Sequence, residues 1–229
     1  MQLKQIQHQL SVYKDFMKSP KSDIRLYAWE SQRIFQSNWD MEAKDFGEMY
    51  DRSLENAQTR RLWKRENYEP KRLMLNFIAL EPEMVRQAFQ DLFNEEKDIE
   101  ARVDRFVFYC DELLNAYKEK YPLSVENNHY HGDNYAIISL YLAFQYPNIY
   151  TLYDHDAFII LLQKLGSPDI PKAADFGRFC KVMRTLYNFI QKDAELLNLH
   201  HKRLDPRRHF MEESLLVVWD FYQFCAHST

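Results

Sequence analysis

The stretch ENNHYHGDNYA, residues 126–136, decides between two folds. His129, His131 and Asp133 alternate as the ligands of a zinc hydrolase do in a His-x-His-x-Asp-His run. Such a site needs a loop after a β-strand, a sandwich of sheets, and a histidine directly after the aspartate. Position 134 is asparagine. The chain then sets Ile137, Leu140, Tyr141 and Phe144 on one face at helical spacing, with Pro147 beyond them. The stretch therefore reads as a loop entering a helix over 134–146. Asp133 is the expected N-cap, its carboxylate accepting from the exposed N–H groups of the first turn. A metal-dependent helical enzyme built on His129, His131 and Asp133 is the competing reading.

Composition favours the helical answer. Only 4 of the 229 residues are glycine, too few for the tight turns of a β-rich hydrolase. Apolar residues make up 46% and charged residues 28%, the balance of a globular chain large enough to bury a core. The formal net charge of −4 excludes a generally polybasic nucleic-acid binder, so any such contact must be local. Cys110, Cys180 and Cys225 are odd in number and far apart, as expected of reduced thiols in a cytoplasmic protein. Cys180 sits on a helical apolar stripe, which favours an inert core thiol. The N-terminus has no apolar signal core, and no stretch has the length and apolarity of a membrane span.

Working outward, apolar residues recur at helical spacing in 2–17, 24–38, 41–54, 71–80, 81–98, 98–118, 155–165, 173–198 and 211–225. The expectation is an all-α orthogonal bundle of about nine or ten helices. Residues 1–166 form the main helical domain. Residues 167–229, after the SPDIP segment, form a C-terminal helical subdomain packed on it or continuous with it. NIYTLY (148–153) is at most a minor strand.

No sequence pattern supplies a reaction centre. GxxxxGK[ST], GxSxG, HExxH and GxGxxG are absent, and no cofactor is implied. His200 and His201, with His209 nearby, point about 100° apart on a helix and rarely share an ion. Two basic clusters carry more information. In 58–72, Arg60, Arg61, Lys64, Arg65, Lys71 and Arg72 face only Glu66 and Glu69, with Trp63 and Tyr68 interleaved. In 200–209, Lys202, Arg203, Arg207 and Arg208 face only Asp205. Such clusters neutralise phosphates, and Trp63 or Tyr68 can stack on a base. They can equally dock an acidic partner, or the acidic face of 81–104 on another copy of the chain.

Three segments in succession are WESQRIFQSNWDMEAKDFGEMYDRSL (29–54), EPEMVRQAFQDLFNEEKDIEARVDRF (81–106) and HYHGDNYAIISLYLAFQYPNIYTLY (129–153). Together they resemble the helical region N-terminal to the AAA+ motor in McrB-like proteins of modification-dependent restriction systems. The resemblance covers about 29–165 and rests on packing positions such as Trp29, Phe35, Trp39, Phe46, Pro82, Phe89, Phe106, Tyr141 and Tyr153. It implies a recognition or assembly domain of an antiphage defence system. Its partners would be modified duplex DNA and an AAA+ motor, in the same chain or another, that drives a separate nuclease. The motor is missing from this sequence, so the resemblance assigns no catalysis to it. A protein-interaction module that docks motor or nuclease without touching DNA is the alternative.

Overall fold

The computed structural model describes residues 1–56, 58–63, 69–122, 130 and 134–228. Among them there are eleven α-helices, two 3-10 turns and no strand. The helices are α1 (Leu3–Met17), α2 (Tyr27–Asn38), α3 (Phe46–Ser53), α4 (Pro70–Leu80), α5 (Pro82–Leu92) and α6 (Ile99–Lys120). They continue with α7 (Ala136–Gln145), α8 (His155–Lys164), α9 (Phe176–Gln191), α10 (Ala194–Arg203) and α11 (Leu216–His227). The 3-10 turns are Pro20–Arg25 and Thr59–Trp63.

Amphipathic helices surround two that are buried on every side. In α5, Val85, Ala88, Phe89 and Leu92 form the inward stripe. In α1 the stripe is Ile6, Leu10, Tyr13 and Met17. By contrast, α7 buries every residue from Ile137 to Phe144, and α11 every residue from Leu216 to Cys225. A helix apolar all round belongs in the interior. Helix α7 lies against α2, while α11 packs on α8, α1 and α9. The buried side chains form one continuous cluster.

Aspartates set many of the helix starts. Asp45, Asp98, Asp154, Asp175 and Asp193 each accept a first-turn backbone N–H. Pro70 and Pro82 open α4 and α5, where a missing N–H costs nothing.

The caps explain most departures from the expected boundaries. The single helix expected over 173–198 is two, because the chain breaks at Lys192 and Asp193 caps a new start, accepting from Leu196 N–H at 3.0 Å. That split takes the count to eleven. The helix expected from 41 begins at Phe46. Arg86 donates to the carbonyls of Met41 and Ala43 and holds 41–45 as a loop, and Asp45 then caps. The helix expected from 211 begins at Leu216, whose N–H is taken by Ser214 Oγ at 3.1 Å. Asp133, expected to cap the helix after the opening stretch, lies outside the described residues, as do His129 and His131. That helix begins at Ala136, whose N–H is accepted by Asn134 Oδ1 at 2.8 Å. NIYTLY is not a strand; Tyr150 to Tyr153 form an irregular buried connection.

The Asp193 start makes a simple test. Its carboxylate also pairs with Lys14 at 3.0 Å. Asp193→Ala should cost about 1 kcal/mol of unfolding free energy, read by urea denaturation, because a cap is worth about that much.

Candidate nucleic-acid interface

The chain's basic clusters are treated differently by the fold. Lys64, Arg65 and Tyr68 lie outside the described residues. Arg60 pairs with Glu69, and Lys71 with Asp51 at 2.7 Å. Arg72 and Lys202 are exposed, and no carboxylate pairs with them among the described residues. Arg207 is 92% exposed, with Asp205 only loosely paired at 3.6 Å. Arg208 pairs with Glu30 at 3.1 Å.

Two expectations need correcting. Arg203 was expected at a phosphate-binding surface, but its side chain is only 5% exposed. Its guanidinium donates to Asp220 Oδ2 at 2.9 Å and to the Ser22 carbonyl at 2.9 Å, and lies 3.2 Å from His200 Nδ1. Asp220 is fully buried and also accepts from Arg25 and from the Tyr13 hydroxyl at 2.6 Å. Burial alone would raise its carboxyl, but the charges of Arg203 and Arg25 outweigh that and hold it below the usual range. This is a core charge network, closed to DNA. Trp63 was expected as an exposed stacking platform, but it is 7% exposed and joins the core. Its Nε1 is buried without an acceptor.

His200, His209, Cys180 and Cys225 read as structural. His200 packs on Trp29 with 5.0 Å between ring centroids. Burial, then the Arg203 charge, pushes its pKa down to about 3, so it is neutral. His209 is buried and accepts from Asp205 N–H at 2.8 Å. Among the described residues no group of three or more His, Cys, Asp or Glu side chains is placed to hold a metal. Burial raises the thiols of Cys180 and Cys225 to about 12, where they are poor nucleophiles. Among the same residues no helix is long and apolar enough to cross a membrane.

The two basic clusters meet on α2. The Arg61 guanidinium lies 4.3 Å from the centroid of Tyr27, and Arg208 reaches Glu30 three residues further on. Positions i and i+3 share a helix face, so residues 61 and 208 converge on one surface. Among the described residues Arg61 has no carboxylate partner; Gln58 Oε1 accepts from it at 3.3 Å.

Beside Arg61 opens a cleft of about 360 Å³, within the usual range for ligand pockets. Its lining includes Tyr27, Trp63, Tyr153 and Trp219 together with Asp154, His155 and Asp156. Tyr27 and Trp219 meet edge to face, with centroids 6.0 Å apart at 85°. The Tyr153 hydroxyl is 2.9 Å from His155 Nδ1. Asp154 is committed on both oxygens: Oδ1 caps α8 at Ala157, and Oδ2 accepts from Gln223 at 3.3 Å. Sequence reasoning picked out the Arg61 side of this cleft and missed the rest. Tyr153 and Trp219 read as core residues in apolar runs, and the polar run Asp154-His155-Asp156 was the only available signal.

No family model matches the chain, and neither does any curated protein or solved structure.

Proposed function

We propose that this is a non-catalytic recognition and assembly domain of a McrB-like defence system, contacting DNA through the basic surface on α2. The observation that supports this reading is the convergence of Arg61 and Arg208, from distant segments, on the Tyr27–Glu30 face. Exposed Arg72, Lys202 and Arg207 extend the available positive charge. Backbone phosphates are the ligand such a surface suits, and an AAA+ motor in the same or another chain would supply the energy-consuming step.

One observation favours a second reading. Arg60, Lys71 and Arg208 already have carboxylate partners, which reduces the charge left for phosphates. A protein surface with its own basic and acidic groups would exchange those pairs, and the domain would then dock motor or nuclease without DNA.

Fluorescence anisotropy with modified and unmodified duplexes distinguishes the two. From about 50 to about 200 mM salt, log affinity should fall against log salt with a slope of about −2 to −3, for two or three neutralised phosphates. Lys202→Gln should weaken binding uniformly across sequences. No binding at the lowest salt sinks the DNA reading and leaves docking, which native mass spectrometry with the motor or nuclease subunit would detect.

A further inference from the structure

We infer that the outer face of α6, around Phe108, docks a basic segment of another protein. An apolar side chain of that segment seats on Phe108, and its lysines or arginines meet Glu100, Asp104 and Glu112. The inference does not depend on whether the basic surface on α2 contacts DNA.

Glu100, Asp104, Phe108 and Glu112 follow one another at intervals of four, so they form one row along the helix. All four are exposed. Phe108 is 59% exposed, the most exposed aromatic side chain among the described residues. Its ring meets Tyr109 edge to face, with centroids 6.1 Å apart. A single exposed phenylalanine is ordinary. What distinguishes this one is its setting.

A groove of about 730 Å³ lies between the first turns of α6 and residues 169–178. Glu100 and Asp104 line it together with Tyr135, Ile170 and Ala174. Asp104 thus belongs to both groove and row, and Phe108 stands four residues, about 6 Å, further along the helix. Glu100 reaches over Gly177 in the first turn of α9, where a side chain would meet its carboxylate. Burial, then the charges of Asp104, Asp175 and Glu100, raises the Tyr135 hydroxyl, so three carboxylates act on one end of the groove.

The neighbouring positive charges are engaged elsewhere. Arg102 is buried and pairs with Glu95. Lys97 and Arg105 both pair with Asp91, at 3.3 and 2.8 Å. Arg178 pairs with Asp169. Lys172 lines the groove without a carboxylate partner among the described residues. Among the same residues no basic side chain pairs with Glu100, Asp104 or Glu112. The face therefore carries surplus negative charge around an apolar centre.

An apolar centre with a polar rim is the usual anatomy of a protein interface. The sign of the rim selects the occupant. Nucleic acid and anionic lipid are repelled. A second copy is a poor match, because its Arg60, Lys71, Arg203 and Arg208 are already paired within it. A basic segment of a different protein meets opposite charge along the whole row, and such charges also speed its arrival.

Fluorescence anisotropy with labelled synthetic peptides tests the inference. One peptide places leucines among lysines. A second has the same charge, with serines in place of the leucines. At low salt the leucine peptide should bind about tenfold tighter, through burial of one large apolar side chain. Phe108→Ser should abolish that preference and leave the serine peptide unchanged. Asp104→Asn with Glu112→Gln should weaken both peptides about tenfold and keep the preference. All three positions are exposed, so the variants should melt as the parent does. Equal binding of the two peptides overturns the inference, as does a Phe108→Ser variant that retains the preference. So does an equal loss from Glu212→Gln with Glu213→Gln, exposed carboxylates ahead of α11, because the attraction would then be to net charge alone. Sedimentation velocity of the protein alone at the same salt should show a monomer. Self-association that Phe108→Ser removes would make a second copy the occupant and overturn the choice of a separate protein. The duplex salt series reads the α2 surface and is untouched by any of these outcomes.

Discussion

Asp220→Ala is expected to lower the unfolding free energy by about 3–5 kcal/mol, the usual cost of removing one partner from a buried ionic cluster. The carboxylate is fully buried and serves three donors: Tyr13 from α1, Arg25 from the first 3-10 turn and Arg203 from α10. Its loss strands a guanidinium that is 95% shielded from water and leaves the buried Tyr13 hydroxyl without that acceptor. Arg25 is 17% exposed and can turn toward solvent, so Arg203 carries most of the penalty. Urea denaturation gives the value. The cause can be separated from lost packing by adding Arg203→Met, which removes the stranded charge. The double variant should recover part of the loss, since apolar replacements of buried ion pairs are often tolerated. A double variant no more stable than Asp220→Ala would refute the charge explanation.

Acid should weaken the fold well above the carboxylate range. His200 is held neutral in the native state, with its pKa pushed down to about 3, mainly by burial and then by Arg203. In the unfolded chain an ordinary imidazole protonates near pH 6.5. Below that value the unfolded state binds a proton that the native state refuses. Stability present at pH 7 is therefore lost as pH falls from about 6.5 toward about 3, at up to about 1.4 kcal/mol per pH unit. Between pH 7 and pH 5 the loss should be about 2 kcal/mol. His209, also depressed by burial, acts in the same direction, and the lowered carboxyl of Asp220 adds to the loss at the acid end. Denaturation midpoints across this range measure the slope. His200→Gln keeps an acceptor for Arg203 without a titrating ring and should flatten it. Equal slopes in parent and variant would assign the acid sensitivity elsewhere.

Periodicity revealed most of the fold, because the stripes in α1 and α5 depend only on residues a turn apart. The boundaries were less visible. Asp45 and Asp193 are ordinary capping residues, but α9 and α10 share an uninterrupted apolar pattern across Lys192, so the cap alone marks the break. The candidate site was half legible. Arg61 stands in an obvious basic cluster. Trp219 lies in an apolar helix, and nothing local marks it as a cleft wall. Arg203 shows the opposite failure. Its neighbours in sequence are basic and exposed, which suggested a surface. Its burial is decided by Asp220, 17 residues on, and by Tyr13, near the other end of the chain. Charge clustering counts neighbours along the chain, whereas burial depends on neighbours in space.

The Tyr13–Asp220 hydrogen bond joins groups 207 residues apart. At a synthesis rate of about 5–20 residues per second, Tyr13 is made about 10–40 s before its acceptor. Throughout that interval the apolar stripe of α1 lacks the last helix that will cover it. The stripe of α1 is thus open to a nascent-chain chaperone for that whole interval.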